Sequence, residues 1–187
     1  MLRTFANDDS ENIEFDKQEL KLWKEKAIEN KSFIEKEITA SKEMIKKLEE
    51  TNLDAVMQIW LDTNIKTHRF IPAEYWSGNY EMVRSLLPEA EVYVYEDNAT
   101  EEIVGFIGLM DTFVAGLFVK DGMQSKGIGK QLVDYAKDKK ERLSLTVYQK
   151  NERAVRFYQR ELFVVADEQV DENTNEIEYV MVWCAGW

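Results

Sequence analysis

Apolar positions in this chain recur at two spacings, every second residue and every third or fourth, and the two alternate along its length. The helical spacing comes first. Leu20, Trp23, Ala27, Ile34 and Ile38 form a thin stripe through a charged stretch from about residue 16 to 40, interrupted by Asn30 and Lys31. In isolation such a helix is marginal in water. Residues 44–48 read as a first strand. Thr51-Asn52-Leu53-Asp54 then has the form of a capping box, with Asp54 in the role usually held by Glu or Gln, before a helix that points Val56, Ile59 and Trp60 inward. A further helix runs through Val83, Leu86 and Leu87 and stops at Pro88.

From there the period shortens. Residues 91–95, 103–109, 113–119 and 143–148 are short apolar or alternating runs of strand length. A polar turn at 97–100 joins the first two. Ile128, Leu132, Val133 and Ala136 fall on one face of a helix between the last two. Residues 163–166 and 177–183 read as closing strands around an acidic loop from 167 to 176. The pattern is α/β: one mixed, twisted sheet of about seven strands with helices on both faces, plus an N-terminal helical extension. We divide the chain into an extension, 1–43, and a domain, 44–187. The extension is expected to be dispensable for catalysis. Three roles stay open for it: packing on the domain, pairing with a second subunit as a homodimer, or remaining mostly disordered.

Composition narrows the setting. Of 187 residues, 44% are hydrophobic, enough for a single ordinary core. No apolar run is long enough to span a membrane, and the first residues lack the apolar core of a signal peptide. The one cysteine, Cys184, cannot close an internal disulfide and reads as a small core hydrophobe, so a reducing cytoplasm is the expected location. The net charge of −12 opposes nucleic acid and anionic membranes as partners. It is compatible with cationic amines, although surface carboxylates also serve solubility alone.

The chemistry concentrates in Gln124-Ser125-Lys126-Gly127-Ile128-Gly129-Lys130. Strand, glycine-bearing loop and helix start succeed one another there, an arrangement that leaves N–H groups at a helix N-terminus to bind an anion. Lys126 and Lys130 add positive charge. A Walker loop is excluded because Ile128 stands where its lysine must be. A dinucleotide fingerprint is excluded because Gly127-Ile128-Gly129 lacks the third glycine. The remaining form, Gln-x-x-Gly-x-Gly, resembles the acetyl-CoA loop of the GNAT family of N-acetyltransferases. Asn151-Glu152-Arg153-Ala154-Val155-Arg156-Phe157-Tyr158 is similar to that family's Asn-x-x-Ala-x-x-Phe-Tyr segment. Thr67-His68-Arg69-Phe70-Ile71 resembles a segment of the small YjaB-type bacterial members. The likeness covers about residues 44–183.

The resemblance implies a direct transfer of acetyl from coenzyme A to a primary amine of a small molecule or peptide, without a metal. Leu117, Phe118 and Val119 would offer backbone groups to the pantetheine arm, and residues 124–130 would hold the pyrophosphate. Asn151, Ala154 and Phe157 would complete the cofactor site, with Asn151 equally suited to be a plain N-cap. Tyr158 would be the acid toward the leaving thiolate, since a phenol stays protonated at neutral pH. His68, the one histidine, is the candidate base or acceptor contact, with Asp111 a distant second. Trp60, His68, Phe70, Tyr75 and Trp76 would wall the acceptor pocket. Two departures stand out. Ala115-Gly116 occupies the place where many relatives carry an acidic residue, and Leu162-Phe163 replaces Gly-Phe at the end of the last helix, so that helix is expected to end without a left-handed cap. These departures keep a second reading open: a non-catalytic acyl-CoA-binding module with a partner-recruiting N-terminal arm.

Overall fold

The computed structural model describes residues 17–186, and the side chains of residues 21–36 and 44–186. The acidic start of the extension, residues 1–16, therefore lies outside the described residues. The chain divides into two units, 1–40 and 41–187. Among the described residues the extension holds one helix, α1 (Lys17–Glu43), continuous through Asn30 and Lys31. Two i,i+4 pairs, Lys21–Glu25 and Lys31–Glu35, run along it, and Trp23, Phe33 and Ile34 are exposed.

The second unit is built on one seven-stranded sheet. Its strands are β1 (Ile45–Lys47), β2 (Glu91–Glu96), β3 (Ile103–Met110), β4 (Phe113–Val119), β5 (Arg142–Tyr148), β6 (Val164–Asp171) and β7 (Glu176–Cys184). Their spatial order is β1-β2-β3-β4-β5-β7-β6, antiparallel except where β4 meets β5. Between β1 and β2 lie α2 (Leu53–Thr67), α3 (Ala73–Gly78) and α4 (Tyr80–Leu86). Helix α5 (Ile128–Lys137) follows β4, and α6 (Glu152–Arg160) follows β5.

Strand β3 is buried from Ile103 to Leu109 because helices cover both faces of the sheet there. On one face Val92, Val94 and Phe106 pack with Val56, Met57 and Trp60 of α2. On the other, Ile107 and Leu109 join Ile128, Leu132, Val133 and Ala136 of α5 and the alternating Leu143, Leu145 and Val147 of β5. Fully burying each of these larger side chains contributes about 1.5–3 kcal/mol.

Three local expectations are corrected. No side-chain cap forms at residues 51–54: a short 3-10 turn, Glu50–Asn52, leads into α2, and Asp54 instead pairs with Arg84 at 2.6 Å. The acidic stretch 167–176 is only partly a loop, since β6 runs on to Asp171 and pairs with β7 as far as Glu176. Last, α6 does end in a left-handed residue. Leu162 has φ 64°, the N–H of Phe163 reaches the carbonyl of Tyr158 at 2.9 Å, and that of Leu162 reaches Gln159 at 3.0 Å. This is a Schellman ending with leucine where glycine would carry no Cβ penalty.

Candidate active site

One break in the sheet makes the site. Strands β4 and β5 are matched at a single register position, Phe113 with Ser144, supported by Ser144 N–H donating to the Thr112 carbonyl at 2.9 Å. Beyond that point they separate, which leaves part of the facing backbone without a ladder partner. The resulting cleft, about 930 Å³, is lined from β4 by Leu117, Phe118 and Val119. A bulge opposite Gly108 and Leu109 interrupts β4 at Ala115. At Gly116 the Phe118 ring lies where a side chain would begin, 2.3 Å from an added Cβ. A side chain at Gly116 would therefore require that ring to move.

The loop below β4 is shaped for an anion. Gly127 caps α5 with φ 87°, a conformation that costs glycine little. The first intrahelical bond is Gln131 N–H to the Gly127 carbonyl, so the N–H groups of Ile128, Gly129 and Lys130 precede it and have no helical partner. Gln124, Ser125, Gly127, Gly129 and Lys130 line the cleft. Lys126 and Ile128 do not: Lys126 lies against Met123, and the Ile128 side chain is core. Of the two, only Ile128's backbone N–H sits at the helix start. The Lys130 ammonium meets Asp134 at 2.8 Å and Glu161 at 3.3 Å, which raises its pKa.

Helix α6 brings the second group. Asn151 caps it, its Oδ1 accepting from Ala154 N–H at 3.2 Å. Asn151, Ala154, Phe157 and Tyr158 line the cleft. Tyr158 is 8% exposed, its ring set between Phe157 and Phe163. Its hydroxyl has no hydrogen-bond partner among the described residues, yet it is not one of the sealed polar atoms, which are Trp76 Nε1 and Gln131 Oε1. The hydroxyl belongs to a ring that lines the cleft. Burial raises its pKa well above the ordinary 10.

Arg153 is the residue that sequence reasoning missed. Its guanidinium spans from α6 to the loop and donates to Gln124 Oε1 at 2.7 Å and Ser125 Oγ at 3.1 Å, while Gln124 Nε2 donates to the Val119 carbonyl at 3.1 Å. Lys66, Arg69, Lys150 and Arg160 also reach the cleft. With Lys130 and Arg153 they gather cations on a chain whose net charge is −12. A ligand bearing several phosphates fits that charge, and the open strands fit a long, amide-bearing arm. Among the described residues no group of three or more His, Cys, Asp or Glu is assembled to hold a metal ion.

The acceptor wall differs from expectation. His68 lines the cleft, but Trp60 and Trp76 are each only 8% exposed and belong to the core beneath it. Phe70 and Tyr75 pack against that same core. Asp111 sits in the β3–β4 turn with φ 56° and is not among the cleft residues. The carboxylates that do line it each have a cation: Asp121 with Lys66, Glu161 with Lys130, and Glu152 with Arg156 at 2.9 Å.

Comparison with known proteins agrees with this geometry. The acetyltransferase (GNAT) domain family matches residues 88–182. The peptidyl-lysine N-acetyltransferase YiaC of Escherichia coli (strain K12) is 33% identical over 142 residues, 75% of this chain and 96% of YiaC. The solution structure of apo-form YjaB from Escherichia coli aligns with a TM-score of 0.67 and 28% identity over 74% of this chain and 95% of that one. YncA from Salmonella typhimurium, solved with its cofactor acetyl-CoA, shares the fold with a TM-score of 0.56 at 19% identity, covering 76% and 94%.

Proposed function

Because the chain belongs to the GNAT family of N-acetyltransferases, with acetyl-CoA as cosubstrate, we propose that it acetylates the side-chain amine of lysine in a peptide or protein, with Tyr158 as the acid. The observation that carries the mechanistic part is Tyr158 on the wall of the cleft that opens where β4 and β5 separate, its hydroxyl without a hydrogen-bond partner among the described residues. YiaC and YjaB, both named for peptidyl-lysine, support the acceptor.

Acetyl-CoA supplies an activated acyl group whose leaving part is a thiolate. The backbone of 117–119 offers hydrogen bonds to its arm, the α5 N-terminus and the surrounding cations hold its phosphates, and Arg153 fixes the loop between them. Tyr158 keeps its proton because its hydroxyl is desolvated. The same dry surroundings raise the pKa of any thiol beside it, since both conjugate bases are anions, so the phenol remains matched to the group it protonates. No cleft carboxylate is free of a cation, so the acceptor amine gives its proton to solvent.

The test is acetylation of lysine-containing peptides and of small amines, read by mass spectrometry with thiol release in parallel. Peptide ε-acetylation that outpaces small amines is expected. Turnover of small amines alone would move the acceptor class, and acetyl-CoA binding without turnover on any amine would favour a binding module.

A further inference from the structure

Four hydrogen bonds join the start of α6 to the backbone of α2, and all four donate in one direction. Ala154 N–H donates to Asn151 Oδ1 at 3.2 Å. That bond leaves the Asn151 amide group facing His68, and Nδ2 lies 3.2 Å from His68 Nε2. An amide nitrogen can only donate, so Nε2 accepts and the ring proton is on Nδ1. Nδ1–H then donates to Asn64 Oδ1 at 3.1 Å, and Asn64 Nδ2 donates to the Trp60 carbonyl at 3.0 Å. Asn64 is 3% exposed and cannot turn to water for a substitute partner.

From this geometry we infer that His68 is a positioning residue, not the base: it holds the Asn151 carboxamide, and through it the first turn of the helix that carries Tyr158, against α2. Both ring nitrogens are engaged, so no lone pair is left for an acceptor amine. A proton on Nε2 would face the Asn151 amide donor against donor, and only a flip that uncaps α6 would relieve it. The surroundings agree. The ring packs against Trp76 and Tyr148, each at 5.3 Å, and Phe70 at 5.7 Å. The one titratable group among them, Tyr148, has its hydroxyl on Asp171 at 2.5 Å. Burial pushes the His68 pKa down to about 4. Two segments 83 residues apart, both lining the cleft, are thereby locked together.

The chain has one histidine, so its imidazole nitrogens are read without ambiguity in ¹⁵N-labelled protein with any purification tag removed. A neutral ring with hydrogen on Nδ1, unchanged from pH 8 down to pH 5.5, is expected. The Nε2–H tautomer, or titration near 6.5, would overturn the inference. Asn151→Asp keeps a capping oxygen but replaces the donor with an anion, and should bring the titration up into the range pH 6–8; an unmoved histidine would count against the bond. The kinetic arm rests on the transferase reading above, and the spectroscopic arm does not, so the two can fail separately. His68→Ala should lower kcat tenfold or more, and His68→Gln, whose amide oxygen can accept from Asn151, should recover most of that loss. Glutamine as inactive as alanine would return His68 to the role of base.

Discussion

Arg153 and Gln124 lie 29 residues apart in the chain and meet at 2.7 Å, so the helix of the second half of the motif clasps the loop of the first. The clasp is two-pronged, since the same guanidinium also reaches Ser125. Arg153→Ala should raise the KM for acetyl-CoA about tenfold, near 1.4 kcal/mol of binding, with a smaller effect on kcat. Arg153→Lys should not restore it, because a lysine lacks the fork that serves both acceptors. Calorimetric titration with acetyl-CoA checks this. Unchanged affinity in Arg153→Ala would mean that the loop holds its shape without the clasp.

Leu162 is 69% exposed and holds φ 64°. A left-handed leucine costs about 1–2 kcal/mol, while glycine regains unfolded-state freedom of up to about 1 kcal/mol. Leu162→Gly should therefore stabilise the protein by about 0.5–1 kcal/mol and raise Tm by a few degrees. A lower Tm in the variant would show that the exposed side chain contributes more than the strain removes.

Stability should depend on pH through His68. Its pKa falls from 6.5 when unfolded to about 4 when folded, so between those values the unfolded chain binds the extra proton. The contribution, about 3 kcal/mol, is fully present above 6.5 and is lost as pH falls toward 4. Carboxylates titrate in part of the same window, so the comparison is with His68→Gln in chemical denaturation at each pH. Its stability should fall less steeply than the wild type's between pH 6.5 and 4.5.

The pH dependence of turnover separates solvent from a protein base. A lysine ε-amine has an ordinary pKa of about 10.4 and must be neutral to attack. With the cleft carboxylates paired to cations and His68 engaged, log kcat/KM for a lysine peptide should climb with a slope near one from pH 6 to 9. A plateau above pH 7 would reveal a base that these pairs conceal.

Where sequence and structure part company, the reason is physical in each case. The buried run of β3, the alternation in β5 and the apolar face of α5 are local patterns, legible in the chain itself. The glycine loop and the Asn-x-x-Ala-x-x-Phe-Tyr segment marked the cleft because anion binding and helix capping leave local residue signatures. Arg153 left none: any arginine on the exposed face of α6 looks alike until the loop is seen beside it. Aromatic character at Trp60 and Trp76 could not distinguish pocket from core, since both sites use large apolar rings. At residues 51–54 the pairing of Asp54 with Arg84 is a contact made by the tertiary fold, which no capping pattern encodes.

If Tyr158 donates the proton that lets the thiol leave, Tyr158→Phe tests the step with the least disturbance, because among the described residues no group is hydrogen-bonded to that hydroxyl. Acetyl-CoA affinity by calorimetry and kcat with a lysine peptide should be measured on the same preparation. Unchanged affinity with kcat reduced tenfold or more is expected; equal kcat in the two proteins would remove Tyr158 from the role of acid.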